Sequence, residues 1–241
     1  VTPDSALARA FESTWPPAET AEAGGLSVGR GMGGGGRVSS AHATGTGWSA
    51  EDLANAEAIQ QDWGQEPLFR VAANDTALQQ ALTQRGYETF NPTAIMEVDC
   101  TALTVEAIPR LTAFTVWQPL AIQRDIWAAG NIGEARQAVM DRVTLPRSSV
   151  LGRLTDRAAG AAFVAADGPV AMIHAIEVLP QFRRMGLAGW MIRAAAEWAQ
   201  AQGASRLALA VSRPNTGAIA LYERMGFQPS GDYAYWQKRR G

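Results

Sequence analysis

Ile176-Glu177-Val178-Leu179-Pro180-Gln181-Phe182-Arg183-Arg184-Met185-Gly186-Leu187-Ala188-Gly189 is the stretch on which the reading of this chain turns. The apolar run Val170–Val178 reads as a strand, and Pro180 marks the turn that ends it. A helix then opens near Gly186 and runs to Gln202. It carries Leu187, Met191, Ala195 and Trp198 at spacings of four, four and three, the stripe of a buried face. A helix N-terminus presents unpaired amides and the positive end of the dipole, and both favour an anion. Gly186 has no Cβ, so a phosphate can approach the backbone closely, and Ala188 keeps the next position small. Arg183 and Arg184 add positive charge beside the loop. The stretch suits a diphosphate; by itself it also fits a plain glycine turn with solvated arginines.

Downstream, Arg206–Ser212 reads as a strand, Thr216–Met225 as a helix and Tyr233–Gln237 as a strand. Upstream, strands are expected at Ala113–Trp117, Ser148–Arg153 and Ala158–Ala166, with helices at Ile122–Ala129 and Glu134–Arg142. Alternating strands and helices predict an α/β fold with a mixed sheet. Nearer the start, Asp4 and Ser5 open a helix that Pro16 and Pro17 stop. Leu26–Val28 and Arg37–Ala41 read as strands around the Gly33–Gly36 turn. Ser49, with Asp52 three residues on, caps a helix over Ala50–Trp63. Pro67–Ala72 and Thr93–Val98 read as strands, and Thr76–Arg85 as a helix that Gly86 closes.

The chain repeats itself. Placing Gly86-Tyr87 over Gly226-Phe227 sets Val71 on Val211, Asp75 on Asn215 and Ala81-Leu82 on Leu221-Tyr222. Each segment reads strand, turn, helix, Gly-aromatic, strand, as a duplicated half-unit would. The expected division is a first unit over 1–102 and a second over 103–241.

About thirty residues after the glycine turn stands Asn215-Thr216-Gly217-Ala218-Ile219-Ala220-Leu221-Tyr222-Glu223-Arg224-Met225-Gly226-Phe227. Together the two segments resemble the GNAT N-acetyltransferase superfamily. Its signature is an Arg/Gln-x-x-Gly-x-Gly/Ala loop after the fourth strand, then Asn-x-x-Ala-x-x-x-Tyr-x-x-x-Gly-Phe. The resemblance is specific over 170–237 and softer over 103–169. It implies the GNAT acyl-CoA N-acyltransferase fold, here as a tandem of two GNAT-like units, the first a degenerate copy. It further implies acetyl-CoA as cosubstrate, with no metal, and transfer of the acetyl group to a primary amine by direct attack. The amides of Arg184, Met185, Gly186, Leu187, Ala188 and Gly189 would hold the coenzyme diphosphate, with Arg183 beside them. Backbone groups of Ile176, Glu177 and Val178 would pair with the pantetheine arm as an added strand. Asn215 would fix the coenzyme or the loop. Tyr222 occupies the position of a general acid for the departing thiolate.

An amine attacks only when neutral, and a lysine-like amine has a reference pKa of about 10.4, so a base or a water chain helps. His174 and Glu177 are the candidates. They differ by an odd number and point to opposite faces of a regular strand, though a bulge would bring Glu177 round. The competing reading of His174 is a hydrogen-bonded core residue. A coenzyme-binding sensor or scaffold without transfer activity is the second functional reading. The acceptor, a small molecule or a peptide amine, is not legible, and the oligomeric state is open, a homodimer among the options.

Composition removes other classes. Over 241 residues the net charge is −2, against a nucleic-acid partner. The chain has one cysteine and two histidines far apart, which argues against a zinc site. No apolar run approaches the roughly 20 residues that span a bilayer, and Val1-Thr2-Pro3-Asp4 does not read as a secretory leader. A cytoplasmic protein without a membrane partner is the expectation. Gly25-Leu26-Ser27-Val28-Gly29 fits a nucleophile-elbow pattern and Gly29-x-Gly31-x-x-Gly34 a dinucleotide one. Both need a helix directly after, and the glycines that follow argue against any helix there. The eight tryptophans are read as core rather than as a stacking surface.

Overall fold

A computed structural model describes residues 3–238, and its strands join in one mixed sheet. Asp4 caps helix α1 (Ser5–Ser13) by accepting from the Leu7 amide at 2.8 Å. Strands β1 (Glu19–Ala23) and β2 (Leu26–Arg30) form a hairpin, then come a single helical turn α2 (Gly36–Ser39) and strand β3 (Ala41–Ala43). Helix α3 (Ala50–Asp62) starts with the expected Ser49/Asp52 capping box. Strand β4 (Leu68–Ala72), helix α4 (Thr76–Gln84), strand β5 (Tyr87–Asp99) and the turn α5 (Cys100–Leu103) complete the first part.

Strand β6 (Ala113–Val116) is followed by helices α6 (Ala121–Ala129) and α7 (Glu134–Arg142). The antiparallel strands β7 (Arg147–Leu154), β8 (Arg157–Asp167) and β9 (Val170–Val178) come next. Helix α8 (Leu187–Ala201), strand β10 (Arg206–Ser212), helix α9 (Thr216–Arg224) and strand β11 (Gln228–Lys238) end the described fold. The expected stripe of α8 is the one that packs: Leu187, Met191 and Ala195 are fully buried, against Val150, Val164 and Ile173 of the sheet. Gly152 and Gly160 make room for it, since a Cβ there would stand 2.6 and 2.7 Å from the Met191 sulfur.

Two expectations fail near the start. Arg37–Ser39 forms a helical turn instead of a strand, because positive φ at Gly33 (+80°) and Gly35 (+99°) reverses the chain and buried Val38 anchors the turn. A helix therefore does follow the glycines, one turn long. Ser27, however, lies within a strand that continues to Arg30, so no elbow forms. Strand β1, poor in β-branched and aromatic residues, is missed from sequence because pairing with β2 overrides its local preference.

The sheet runs β1-β2-β3-β4-β11-β5-β10-β9-β8-β7-β6. Its centre is the informative part. Strand β11 lies between β4 and β5, and β5 lies between β11 and β10, all antiparallel. The repeat read from sequence is visible here. Helices α4 and α9 begin and end at aligned positions, and their N-caps Asp75 and Asn215 share nearly the same backbone angles. Each caps through its side chain, accepting from the Leu78 and Ala218 amides. Gly86 and Gly226 both take positive φ after them. Each strand–helix–strand unit thus gives its last strand to the middle of the other's sheet.

Candidate active site

Strands β9 and β10 run parallel, yet they pair only at Val170–Met172 with Arg206–Ala208. Beyond that point they separate. Ile173–Ile176 and Leu209–Ser212 face each other across a cleft of about 360 Å³, which Tyr222 and Asn215 also line. A bulge accompanies the divergence. Ala161 pairs with Glu177 but Phe163 with His174, and Ala175 sits at φ +51°. The Ala175 carbonyl accepts from the Trp127 indole at 2.9 Å. Because of this extra residue His174 and Glu177 share a face, the bulged alternative rather than the regular strand.

At the end of β9 the chain makes a 3₁₀ turn at Pro180–Phe182 and enters α8 through Arg184 (φ +65°) and Gly186 (φ +81°). Gly186 is the N-cap and supplies no side-chain bond. The Gly189 amide turns back to the Gly186 carbonyl at 3.1 Å. The Leu187 and Ala188 amides have no backbone acceptor among the described residues. A Cβ at Gly186 would meet nothing within 4 Å, so the space before the amides is open. The two loop arginines differ. Arg183 donates to the Val178 carbonyl at 2.8 Å and pairs with Glu177 at 2.9 Å, whereas Arg184 has no ion pair among the described residues. Met185 is exposed beside them.

Tyr222 is 8% exposed and packs against Phe227, with ring centroids 5.7 Å apart. Burial pushes its phenol up to about 12, so it stays protonated through the neutral range. Its hydroxyl has no hydrogen-bond partner among the described residues.

His174 also borders the cleft, but its ring is engaged. Thr14 donates its hydroxyl proton to the Ala10 carbonyl at 2.6 Å and so accepts from His174 Nε2 at 2.9 Å. Nδ1 is left as an acceptor facing the Arg37 guanidinium at 3.5 Å. The ring packs on Trp15 at 5.0 Å between centroids. Burial, then the Arg37 charge, hold its pKa well below the usual imidazole value. Glu177 does not border the cleft: its carboxylate clips the strand end to Arg183. The arrangement therefore offers an open strand edge, free helix amides and a buried phenol, with neither a free imidazole nor a carboxylate in the cleft among the described residues.

Sequence reading missed the opposite wall, formed by Trp15, Gly34–Gly36, Arg37, Arg136, Tyr233 and Tyr235. These come from four separate parts of the chain and form no motif, so no local signal marks them.

Residues 123–227 match the family model described as "Acetyltransferase (GNAT) family". The chain carries a GNAT-family acetyltransferase domain. Among curated GNAT relatives, N-acetyltransferase family 8 member 3 of Mus musculus is 40% identical over 71 residues, 29% of this chain and 31% of that protein. Aminoglycoside N(6')-acetyltransferase type 1 of Salmonella typhimurium is 31% identical over 73 residues, 30% of this chain and 50% of that one. The matched stretch thus spans only about a third to a half of these relatives. In fold, the chain superposes on a GCN5-related N-acetyltransferase from Kribbella flavida with a TM-score of 0.74. Identity there is 18%, with 98% of this chain and 94% of the other covered. A tandem GNAT protein from the clavulanic acid biosynthesis pathway gives a TM-score of 0.60 at 15% identity, covering 88% and 76%. The fold is the mixed α/β GNAT fold, and the chain fits two such units. Among the described residues no helix is long and apolar enough to cross a membrane, and no group of three or more His, Cys, Asp or Glu could hold a metal.

Proposed function

We propose that the protein transfers the acetyl group of acetyl-CoA to a primary amine within the β9/β10 cleft. The observation that carries this reading is the divergence of the two parallel strands, with Tyr222 on the wall and β9 running on through its turn into the free amides of α8. The coenzyme fits these residues. Its diphosphate would lie before Gly186, Leu187 and Ala188 beside Arg184, and its pantetheine arm along the open edge at Ile176–Val178. When bound, it supplies an activated thioester. The amine nitrogen attacks the thioester carbonyl, the C–N bond forms, the C–S bond breaks, and the amine proton leaves to water. A backbone N–H on the open edge of β9 would stabilise the oxyanion.

Tyr222 gives the departing sulfur a hydrogen bond. A thiol of pKa about 8.5 is a stronger acid than this buried phenol, so the bond, more than complete proton transfer, lowers the barrier. With His174 and Glu177 engaged elsewhere, a water chain is the base this geometry favours. The absence of a free base in the described cleft also suits a coenzyme-binding sensor or scaffold, the second reading. Thiol release from acetyl-CoA with an amine panel decides between them. In an enzyme, Tyr222→Phe lowers kcat by about 10²-fold or more with coenzyme affinity unchanged. Wild-type turnover in Tyr222→Phe would reduce its role to packing.

The unit over 1–102 is proposed as a degenerate copy that binds no coenzyme. In it Leu82 and Asp75 align with Tyr222 and Asn215. Its helix α3 is closed by the Ser49/Asp52 capping box and carries Glu51 and Asp52 in its first turn, where a diphosphate would need free amides. The cytoplasm is the proposed location.

A further inference from the structure

We infer that the amine accepted in this cleft carries an anionic group of its own, a carboxylate or a phosphate near the nucleophilic nitrogen. The inference rests on the acetyltransferase reading and adds the charge of the acceptor to it. Its basis is the wall that faces β9 and β10, where two guanidinium groups line the cleft with no ion-paired carboxylate among the described residues.

Arg37 follows the glycine turn, and its guanidinium lies over the Phe11 ring at 3.7 Å from the centroid. One Nη donates to the Phe11 carbonyl and the other faces His174 Nδ1, while Nε is buried and unpartnered. Glu12 ion-pairs with Arg70 at 2.5 Å and faces His42 at 3.8 Å; it attracts Arg37 from longer range but makes no ion pair with it among the described residues. Burial lowers the Arg37 pKa to about 10, which leaves it a cation at neutral pH. Arg136 of α7 lies over Gly35, where an added Cβ would stand 3.1 Å from Nη2. A side chain there would crowd the guanidinium, and Gly35 also holds φ +99°. Arg136 is exposed, and its side chain makes no hydrogen bond or ion pair among the described residues. No Asp or Glu lines the cleft there.

A cleft lined by two guanidinium groups and by no carboxylate of its own disfavours an ammonium ion unless the same molecule brings a negative charge to the arginines. Once that charge is docked, the guanidinium groups lower the pKa of the nearby amine. They thereby favour the neutral, nucleophilic form in a site that lacks a base. The coenzyme diphosphate does not need these residues, because the α8 amides and Arg184 serve it from the Val178 end. Polycationic acceptors such as aminoglycosides or polyamines are disfavoured by the same charges, although an aminoglycoside acetyltransferase is among the relatives.

The test uses the full chain with acetyl-CoA and reads thiol release. The panel pairs α-amino acids with their amides and O-phosphoethanolamine with ethanolamine, and adds spermidine and kanamycin. The carboxylate or the phosphate member should exceed its neutral partner at least ten-fold in kcat/KM, and the stronger pair identifies the anion. Arg136→Gln, an exposed position, should raise KM for that acceptor about ten-fold with calorimetric acetyl-CoA affinity unchanged. Equal use of the neutral partner, better use of spermidine or kanamycin, or an unchanged KM in Arg136→Gln would overturn the inference. Calorimetry keeps the two readings separate. Failure of acetyl-CoA to bind counts against the coenzyme site alone. The acceptor charge is then read from binding of N-acetylglycine against N-acetylglycinamide, and equal binding in that pair counts against the inference.

Discussion

Gly186 combines a left-handed backbone (φ +81°) with open space in front of the α8 amides. A glutamate there adds backbone strain, bulk and a negative charge where a diphosphate would sit. Gly186→Glu should lower acetyl-CoA affinity at least ten-fold, about 1.4 kcal/mol, in a folded variant followed by calorimetry. The wild-type chain should titrate at one coenzyme per polypeptide, and a site that survives the substitution would assign binding to the first unit as well. The histidines set a pH dependence. Burial, then Arg70, depresses His42 from 6.5 to about 4, and burial, then Arg37, holds His174 well below the usual imidazole value. The unfolded chain therefore takes up protons that the folded one refuses. Stability is full above about pH 6.5 and falls as pH drops toward 4, with His42 alone costing up to about 3 kcal/mol. Thermal melts from pH 7 to 4 should show that decline, and His42→Asn should make it shallower. Gly186, Asn215 and Tyr222 were legible because each sits in a contiguous motif. Arg37 and Arg136 were not, because about a hundred residues separate them and only the fold joins them at Gly35.

At the level of elements, caps and hydrophobic period carry most of the information. The box at Ser49 and Asp52, the stop at Gly86 and the α8 stripe all rest on local physics, and all occur where the sequence indicates. Asp75 accepts from the Leu78 amide at 3.1 Å, much as Asn215 serves Ala218 at 3.2 Å. Asp75→Ala should cost about 1 kcal/mol in denaturant unfolding and leave acetyl-CoA binding unchanged. Loss of coenzyme affinity in that variant would tie the first unit to the site. Elements held by partners were the illegible ones. Strand β1 depends on its ladder with β2, the α2 turn on buried Val38, and the bulge at Ala175 on a register set by β8. None of these has a local signature of its own.

For the whole molecule, the internal repeat was legible but the exchange of strands was not. Periodicity reveals which face of a strand is buried and is silent about which strand lies beside it. We expect that 1–102 and 103–241, the proposed units, do not fold apart, since β11 is the neighbour of both β4 and β5. Separately expressed fragments should lack a cooperative melt, and mixing them should restore one. An independently cooperative 1–102 fragment would refute this. The same exchange bears on synthesis. As the chain leaves the ribosome from its N-terminal side, β4 and β5 emerge with a gap between them that only residues 228–238 can fill. Their unpaired edges stay exposed for the more than a hundred residues of elongation that follow, about ten seconds or more at the usual pace. A nascent chain interrupted before β11 retains that open seam, and so presents itself to chaperones and proteases as unfinished.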